Sequence, residues 1–210
     1  MDVITEIKKE RGRYRVTVSE TEDFLVPVSL MRERRLTVGQ PIDIEEYDNW
    51  LMVRQYRHAL DRAVGYLAAR ARSRREVEQK LLQAGYRPCT VEMVLYKLER
   101  ERILDDADFA RQWVESRSSH KLGRSRIAQE LRRKGISADE AEAALSAIEE
   151  DDQLAGAVAL AEKAAARIRP GEDPRKAGNR ILAMLARRGY SWGIAKEALQ
   201  QAMAGLADDD

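Results

Sequence analysis

Few side chains in this 210-residue chain are placed for bond-making chemistry. His58 and His120 stand far apart, outside any cluster of the kind that holds a metal. Cys89 is the single cysteine, so neither a disulfide framework nor a cysteine cage can form, and it reads as a buried or half-buried thiol. The Asp105-Asp106 pair has the form of an acid/base dyad. It lies just ahead of a helical run, however, where carboxylate oxygens accept the orphan N–H groups of the first turn. No Gly-rich phosphate loop, nucleophile elbow or HExxH motif is present. The reading is a protein without catalytic residues, metal or cofactor.

Charge is the other candidate chemistry. Residues 117–134 hold seven Lys/Arg against a single Glu, and residues 139–152 hold seven Asp/Glu and no base. Arg72 and Arg74, then Arg124, Arg126, Arg132, Arg133 and Lys134, then Arg187 and Arg188 fall at related places in three successive helical segments. Cations at a helix C-terminus are favoured by the helix dipole, which accounts for Arg133, Lys134, Arg187 and Arg188. It does not account for Arg72, Arg74, Arg124 and Arg126, which stand near helix starts. These nine residues are the candidate partner-binding positions. An arginine row serves phosphates or an acidic protein groove, and spacing does not separate the two.

The elements that must position these charges repeat. SRREVEQKLLQAGY (Ser73–Tyr86), GRSRIAQELRRKGI (Gly123–Ile136) and AGNRILAMLARRGY (Ala177–Tyr190) each end a helical run on a glycine followed by a bulky residue. Aligned on Gly85, Gly135 and Gly189, Val77/Ile127/Ile181 and Leu81/Leu131/Leu185 share one helix face. Downstream, Val91/Ala141/Ala195, Leu95/Leu145/Leu199 and Leu98/Ile148/Ala202 share a second. The glycines are read as left-handed helix stops. The copies are 135 − 85 = 50 and 189 − 135 = 54 residues apart, room for three short helices each. Ser73–Glu76 and Ser137–Glu140 have the form of capping boxes. Phe109 and Trp113, at i and i+4, read as core anchors, and Trp192, directly after its cap, reads as partly exposed.

Residues 1–55 differ in kind. ITEIKKERGRYRVTVSE alternates apolar and polar residues around Gly12, and Pro27 confines FLVPVS to an edge or a bulge. A helical turn at Leu30–Arg35 and the VGQPI turn lead to IDIEEYDNWLMVRQY. This predicts a small antiparallel sheet of three to five strands, with helix from about Tyr56 onward.

Composition agrees with thin helical modules: 44% apolar, 35% charged and only 6% aromatic. A net charge of +1 does not announce a nucleic-acid partner. The charged N-terminus MDVITEIKKERG is no signal peptide, and no run approaches the ~20 apolar residues of a membrane helix. The expectation is a cytoplasmic protein organised as a β extension (1–55), three-helix repeats at 56–104, 105–151 and 152–204, and an acidic tail (205–210).

Taken in order, YLAARARSRREVEQKLLQAGY (Tyr66–Tyr86), LDDADFARQWVESR (Leu104–Arg117) and GRSRIAQELRRKGI (Gly123–Ile136) strongly resemble the RecX family of bacterial recombination regulators. ITEIKKERGRYRV and the Val38-Gly39 turn resemble the small β extension of its longer members, and ARRGYSWGIAKEAL (Ala186–Leu199) fits more loosely. The resemblance implies a mainly α fold: tandem three-helix repeats in an elongated curved stack. It further implies a non-enzymatic regulator of DNA repair, homologous recombination and the SOS response. Such a regulator binds the RecA–single-stranded-DNA filament in its helical groove and limits RecA's ATPase, strand-exchange and coprotease activities.

The expected partner is therefore the RecA filament, with weak binding to single- or double-stranded DNA beside it, no membrane, and a monomeric state. The competing reading is a helix-turn-helix regulator acting directly on DNA. A scaffold for some other filament is a third.

Overall fold

The computed structural model describes residues 2–19, 22–169 and 171–208. It divides into two compact units, Met1–Asp105 and Asp106–Asp210.

The first unit opens with β1 (Asp2–Glu10), β2 (Arg13–Val18), β3 (Glu22–Pro27) and β4 (Pro41–Ile42), with α1 (Val28–Glu33) before β4. The strands form one antiparallel sheet in the order β3-β2-β1-β4, so Pro27 does end an edge strand. Alternation along β1 and β2 buries Ile4, Val16 and Val18 on one face, where they meet Val26, Leu30, Tyr47 and Leu51.

Helix starts earlier than Tyr56. Asp43 accepts the Glu46 N–H at 3.0 Å, Glu45 and Glu46 occupy the first turn, and α2 runs unbroken from Ile44 to Ala69. Its buried face is Tyr47, Leu51, Gln55, Ala59 and Ala63, each four residues from the last. Two alanines and a glutamine on that face obscure the apolar period. The same helix thus packs on the sheet with its first half and serves as the first helix of the first repeat with its second.

That repeat is completed by α3 (Arg74–Gln83) and α4 (Pro88–Arg100), the former opened by the Ser73/Glu76 capping box. Cys89 is exposed, not half-buried: it follows Pro88 in the first turn of α4, whose inner face is Thr90, Val91, Val94, Leu95 and Leu98.

The second unit holds α5 (Asp106–Ser119), α6 (Arg124–Lys134) and α7 (Ala138–Leu145), then α8 (Glu150–Ala165), α9 (Pro174–Arg187) and α10 (Trp192–Asp208). Asp106 begins α5, and Ser137 with Glu140 forms the capping box of α7. The aligned positions of the first face are buried in every copy: Val77, Ile127 and Ile181 at no more than 1% exposure, and Leu81, Leu131 and Leu185 at 0%. On the second face Ile148, beyond the end of α7, and Leu199 are only partly buried. Gly85, Gly135 and Gly189 have φ of 92°, 85° and 91°. After each, the next N–H returns to the helix: Tyr86 to the Leu81 carbonyl at 3.3 Å, Ile136 to Leu131 at 3.2 Å and Tyr190 to Leu185 at 3.2 Å. In the third repeat Ala157, Ala161 and Ala165 form the buried face of α8.

Candidate basic interface

The basic candidates of the second unit lie at the start of α6 (Arg124, Arg126), in its last turn (Arg132, Arg133, Lys134) and at the end of α9 (Arg187, Arg188). Gly123, the N-cap of α6, has no side chain to offer the first turn. Its partners come from the third repeat. The Gly123 N–H donates to the Arg188 carbonyl at 2.9 Å and the Ser125 N–H to the Gly189 carbonyl at 3.2 Å. The Arg124 N–H donates to Oε1 of buried Gln153 at 2.9 Å. The negative end of α9 therefore closes the positive end of α6.

This contact admits only glycine on both sides. A Cβ on Gly123 would overlap the Gly189 and Tyr190 backbone, and one on Gly189 would overlap Arg126. A like joint exists in the first unit: a Cβ on Gly12 would fall 2.5 Å from the Gln83 carbonyl oxygen, and one on Gly85 would fall 2.5 Å from Arg13 Cβ. Gly85 and Gly189 are thus docking points as well as helix ends.

Where the α9 end meets α6, a hollow of about 350 Å³ opens, lined by Arg126, Arg132 and Arg187 with Ser125 and Gln129. Three of the nine candidates are brought together here. Arg132 and Arg187 are exposed and make no ion pair with any described residue. Arg126 reaches Gln129 at 3.2 Å and Glu130 at 3.6 Å. Arg133 is exposed and also unpaired, on the next residue of α6.

Glu130 is the hub beneath this surface. One carboxylate oxygen accepts the Trp113 indole N–H at 3.1 Å and the Arg117 Nε–H at 2.8 Å. Trp113 is half-buried and stacks on buried Phe109, with centroids 5.6 Å apart. Arg117 and Lys134 lie over its ring at 4.1 and 4.5 Å. Lys134 is thus engaged locally, as is Arg188, which donates to the His120 carbonyl at 3.4 Å.

The other candidates near helix starts also have local partners. Arg74 bridges Glu92 at 2.5 Å and Glu99 at 2.8 Å, and Arg124 meets Glu142 at 2.5 Å. Arg72 donates to the Tyr66 carbonyl at 3.0 Å and lies over its ring. Carboxylates from a following helix explain Arg74 and Arg124, which the dipole disfavours. Sequence reasoning missed this because the partners lie 18 or 25 residues away. It also missed Gln55 and Gln153, whose buried amide oxygens accept backbone N–H groups of Arg87 and Arg124. A polar residue on an otherwise apolar face was their only signal.

Among the described residues, no group of three His, Cys, Asp or Glu could hold a metal, and no helix is long and apolar enough to cross a membrane. Trp192 is 69% exposed.

Comparison with known proteins gives this architecture a lineage. Residues 59–98, 105–145 and 150–199 match the first, second and third three-helix domains of RecX, in order. A regulatory protein RecX of Mycobacteroides abscessus is 37% identical over 143 residues, covering 68% of this chain and 70% of that protein. The chain belongs to the RecX family. The regulatory protein RecX of Amycolatopsis mediterranei is 35% identical, covering 74% of this chain and 92% of the relative. A crystal structure of RecX from Lactobacillus salivarius superposes with a TM-score of 0.67 at 27% identity, over 72% of this chain and 99% of that one. A second RecX crystal structure shares the fold over 96% of this chain and all of that one, with a TM-score of 0.68 at 24% identity. RecX relatives are regulatory proteins by name, and the mainly helical repeat fold with its small sheet is the RecX fold.

Proposed function

We propose that this RecX family member is a non-enzymatic, monomeric, cytoplasmic regulator that binds the RecA–single-stranded-DNA filament in its helical groove and restrains RecA's ATPase, recombinase and coprotease activities. The observation that carries this reading is the ordered match of all three helical repeats to RecX domains. The unpaired guanidiniums of Arg132, Arg133 and Arg187, with Arg126 beside them, supply the contact surface. Arg124, Lys134 and Arg188 join it by exchanging their present partners for acidic groups of the filament, and Arg72 and Arg74 of the first unit make contacts of their own in the same way. A repeat protein suits a partner whose own contacts recur, and several modest contacts multiply in effect when geometry allows them together.

Direct reading of duplex DNA is the weaker alternative. A recognition helix presents its N-terminal residues to the major groove. The α6 N-terminus is covered by the end of α9, and the first turn of α7 carries Asp139 and Glu140. Any affinity for DNA alone rests on phosphate contacts and falls steeply with salt.

The test is RecA's DNA-dependent ATPase with the protein added below stoichiometry. Inhibition supports the proposal, and an unchanged rate at saturating protein rejects it.

A further inference from the structure

The third repeat carries a second, larger basic hollow. It measures about 760 Å³ and lies where the end of α8 and the α8–α9 connection face α9. Arg167, Arg169, Arg180 and Arg187 line it, against the single carboxylate of Glu172. Its remaining wall is apolar, from Ala164, Ile181 and Met184.

Glu172 is already committed. One oxygen accepts Arg180 Nη1 at 2.5 Å, and the other accepts the Arg169 N–H at 3.4 Å. The Arg180 guanidinium, with the Arg169 N–H, holds the Glu172 carboxyl below the usual glutamate range, so it stays ionised and bound. Arg167, Arg169 and Arg187 are left exposed and without an ion pair to any described residue. A helix dipole explains a cation beside the end of α8. The dipole of α9 likewise favours Arg187 at its own end, but neither dipole requires the cations of the two helix ends to line one hollow.

We propose that this hollow is a binding site for a phosphate ester. Three unpaired guanidiniums call for more than one negative charge, which a lone carboxylate does not carry, and their forked N–H groups match phosphate oxygens in pairs. The volume is that of a small-ligand site rather than of a single ion. The half-buried Ala164 and Met184 give a sugar or base an apolar surface to cover. Arg187 also lines the hollow that contains Arg126 and Arg132, so the two basic sites adjoin. The phosphate can therefore come from a free nucleotide held in one hollow or from a nucleic-acid backbone that crosses both.

The site holds or fails without RecA, so the regulatory reading is unaffected by the outcome. The experiment is calorimetric titration of the full chain at low salt with pyrophosphate, with ADP and with a short oligodeoxythymidylate. At least one is expected to saturate at one site per chain. Saturation by pyrophosphate or ADP assigns a free phosphoanion, and saturation by the oligonucleotide alone assigns a backbone.

Arg169→Ala/Arg187→Ala is expected to weaken binding by roughly tenfold or more, since it removes two charge-assisted contacts. Arg100→Ala/Arg175→Ala removes equal charge at exposed positions outside both hollows and should change affinity by less than about twofold. Thermal melts check that both variants fold. Absence of saturable binding for all three probes, or an equal loss in the two double variants, overturns the proposal.

Discussion

Gly123 and Gly189 meet backbone to backbone, with the Gly123 N–H on the Arg188 carbonyl at 2.9 Å and no room for a Cβ on either glycine. The joint between second and third repeats is made of main chain, so it cannot give way by a rotamer change. Gly123→Ala should cost about 3 kcal/mol, at the upper end for overpacking. Gly193→Ala is the control: it lies in α10 with open space around its Cβ position and should gain up to ~1 kcal/mol from helix propensity. Chemical denaturation of both variants reads the difference, and equal midpoints would contradict the joint.

Leu131 and the neighbouring arginines should separate stability from binding. Leu131 is fully buried beside Ile127 and Phe109, and Leu131→Ala should cost ~2–5 kcal/mol. Reversing Arg124 and Arg126 to glutamate breaks an exposed pair with Glu142 and a partly buried one with Glu130, neither in the core, so its cost should stay near ~1 kcal/mol and below that of Leu131→Ala. The first variant is read by denaturation, the second by RecA inhibition. Normal inhibition by the arginine variant would reduce these two residues to a solvated face.

Tyr47 offers an alkaline signature. Burial pushes its phenol up to about 12, and its hydroxyl has no hydrogen-bond partner among the described residues. The folded state thus keeps a proton that the unfolded state releases near ~10. Its stabilising contribution is complete below that pH and is lost as pH rises toward 12. The gap is worth on the order of 2–3 kcal/mol. Tyr47→Phe should remove this alkaline loss and raise stability at neutral pH by ~1 kcal/mol, because an orphan hydroxyl disappears. Urea melts at pH 7 and above pH 10 test both statements.

Asp48 gives the opposite slope. Arg87 grips its carboxylate with both terminal nitrogens, which holds the carboxyl below the usual aspartate range. A depressed folded value stabilises above the unfolded value, ~3.9, and that stability is lost as pH falls through the folded one. Asp48→Asn should therefore be less stable than the parent at pH 7, with the difference closing in acid. A constant difference down to pH 2 would rule out the linkage.

Much of this fold is legible in the sequence because the repeat register is written in large side chains. Ile127, Leu131 and Ile181 are buried where the alignment on the glycines places them. The start of α2 was obscured because Gln55, Ala59 and Ala63 carry too little apolar volume to mark its face. The basic surface was visible as composition, but its division was not. Whether an arginine is paired depends on Glu92, Glu99 and Glu142, which tertiary packing delivers from other helices. The second role of Gly189 was hidden for the same reason: a left-handed stop has a local signature, whereas a close backbone approach has none.

The central claim is best tested by direct binding to the filament. Cys89 is the single cysteine and is exposed, so one fluorophore can be attached there. The labelled chain would be titrated with RecA assembled on single-stranded DNA with a non-hydrolysable nucleotide, and its anisotropy followed. Saturable binding is predicted, weakened by roughly tenfold or more in Arg126→Glu/Arg132→Glu/Arg187→Glu as charge complementarity is reversed. An unbound parent chain, or a triple variant that binds as tightly as the parent, would contradict the account.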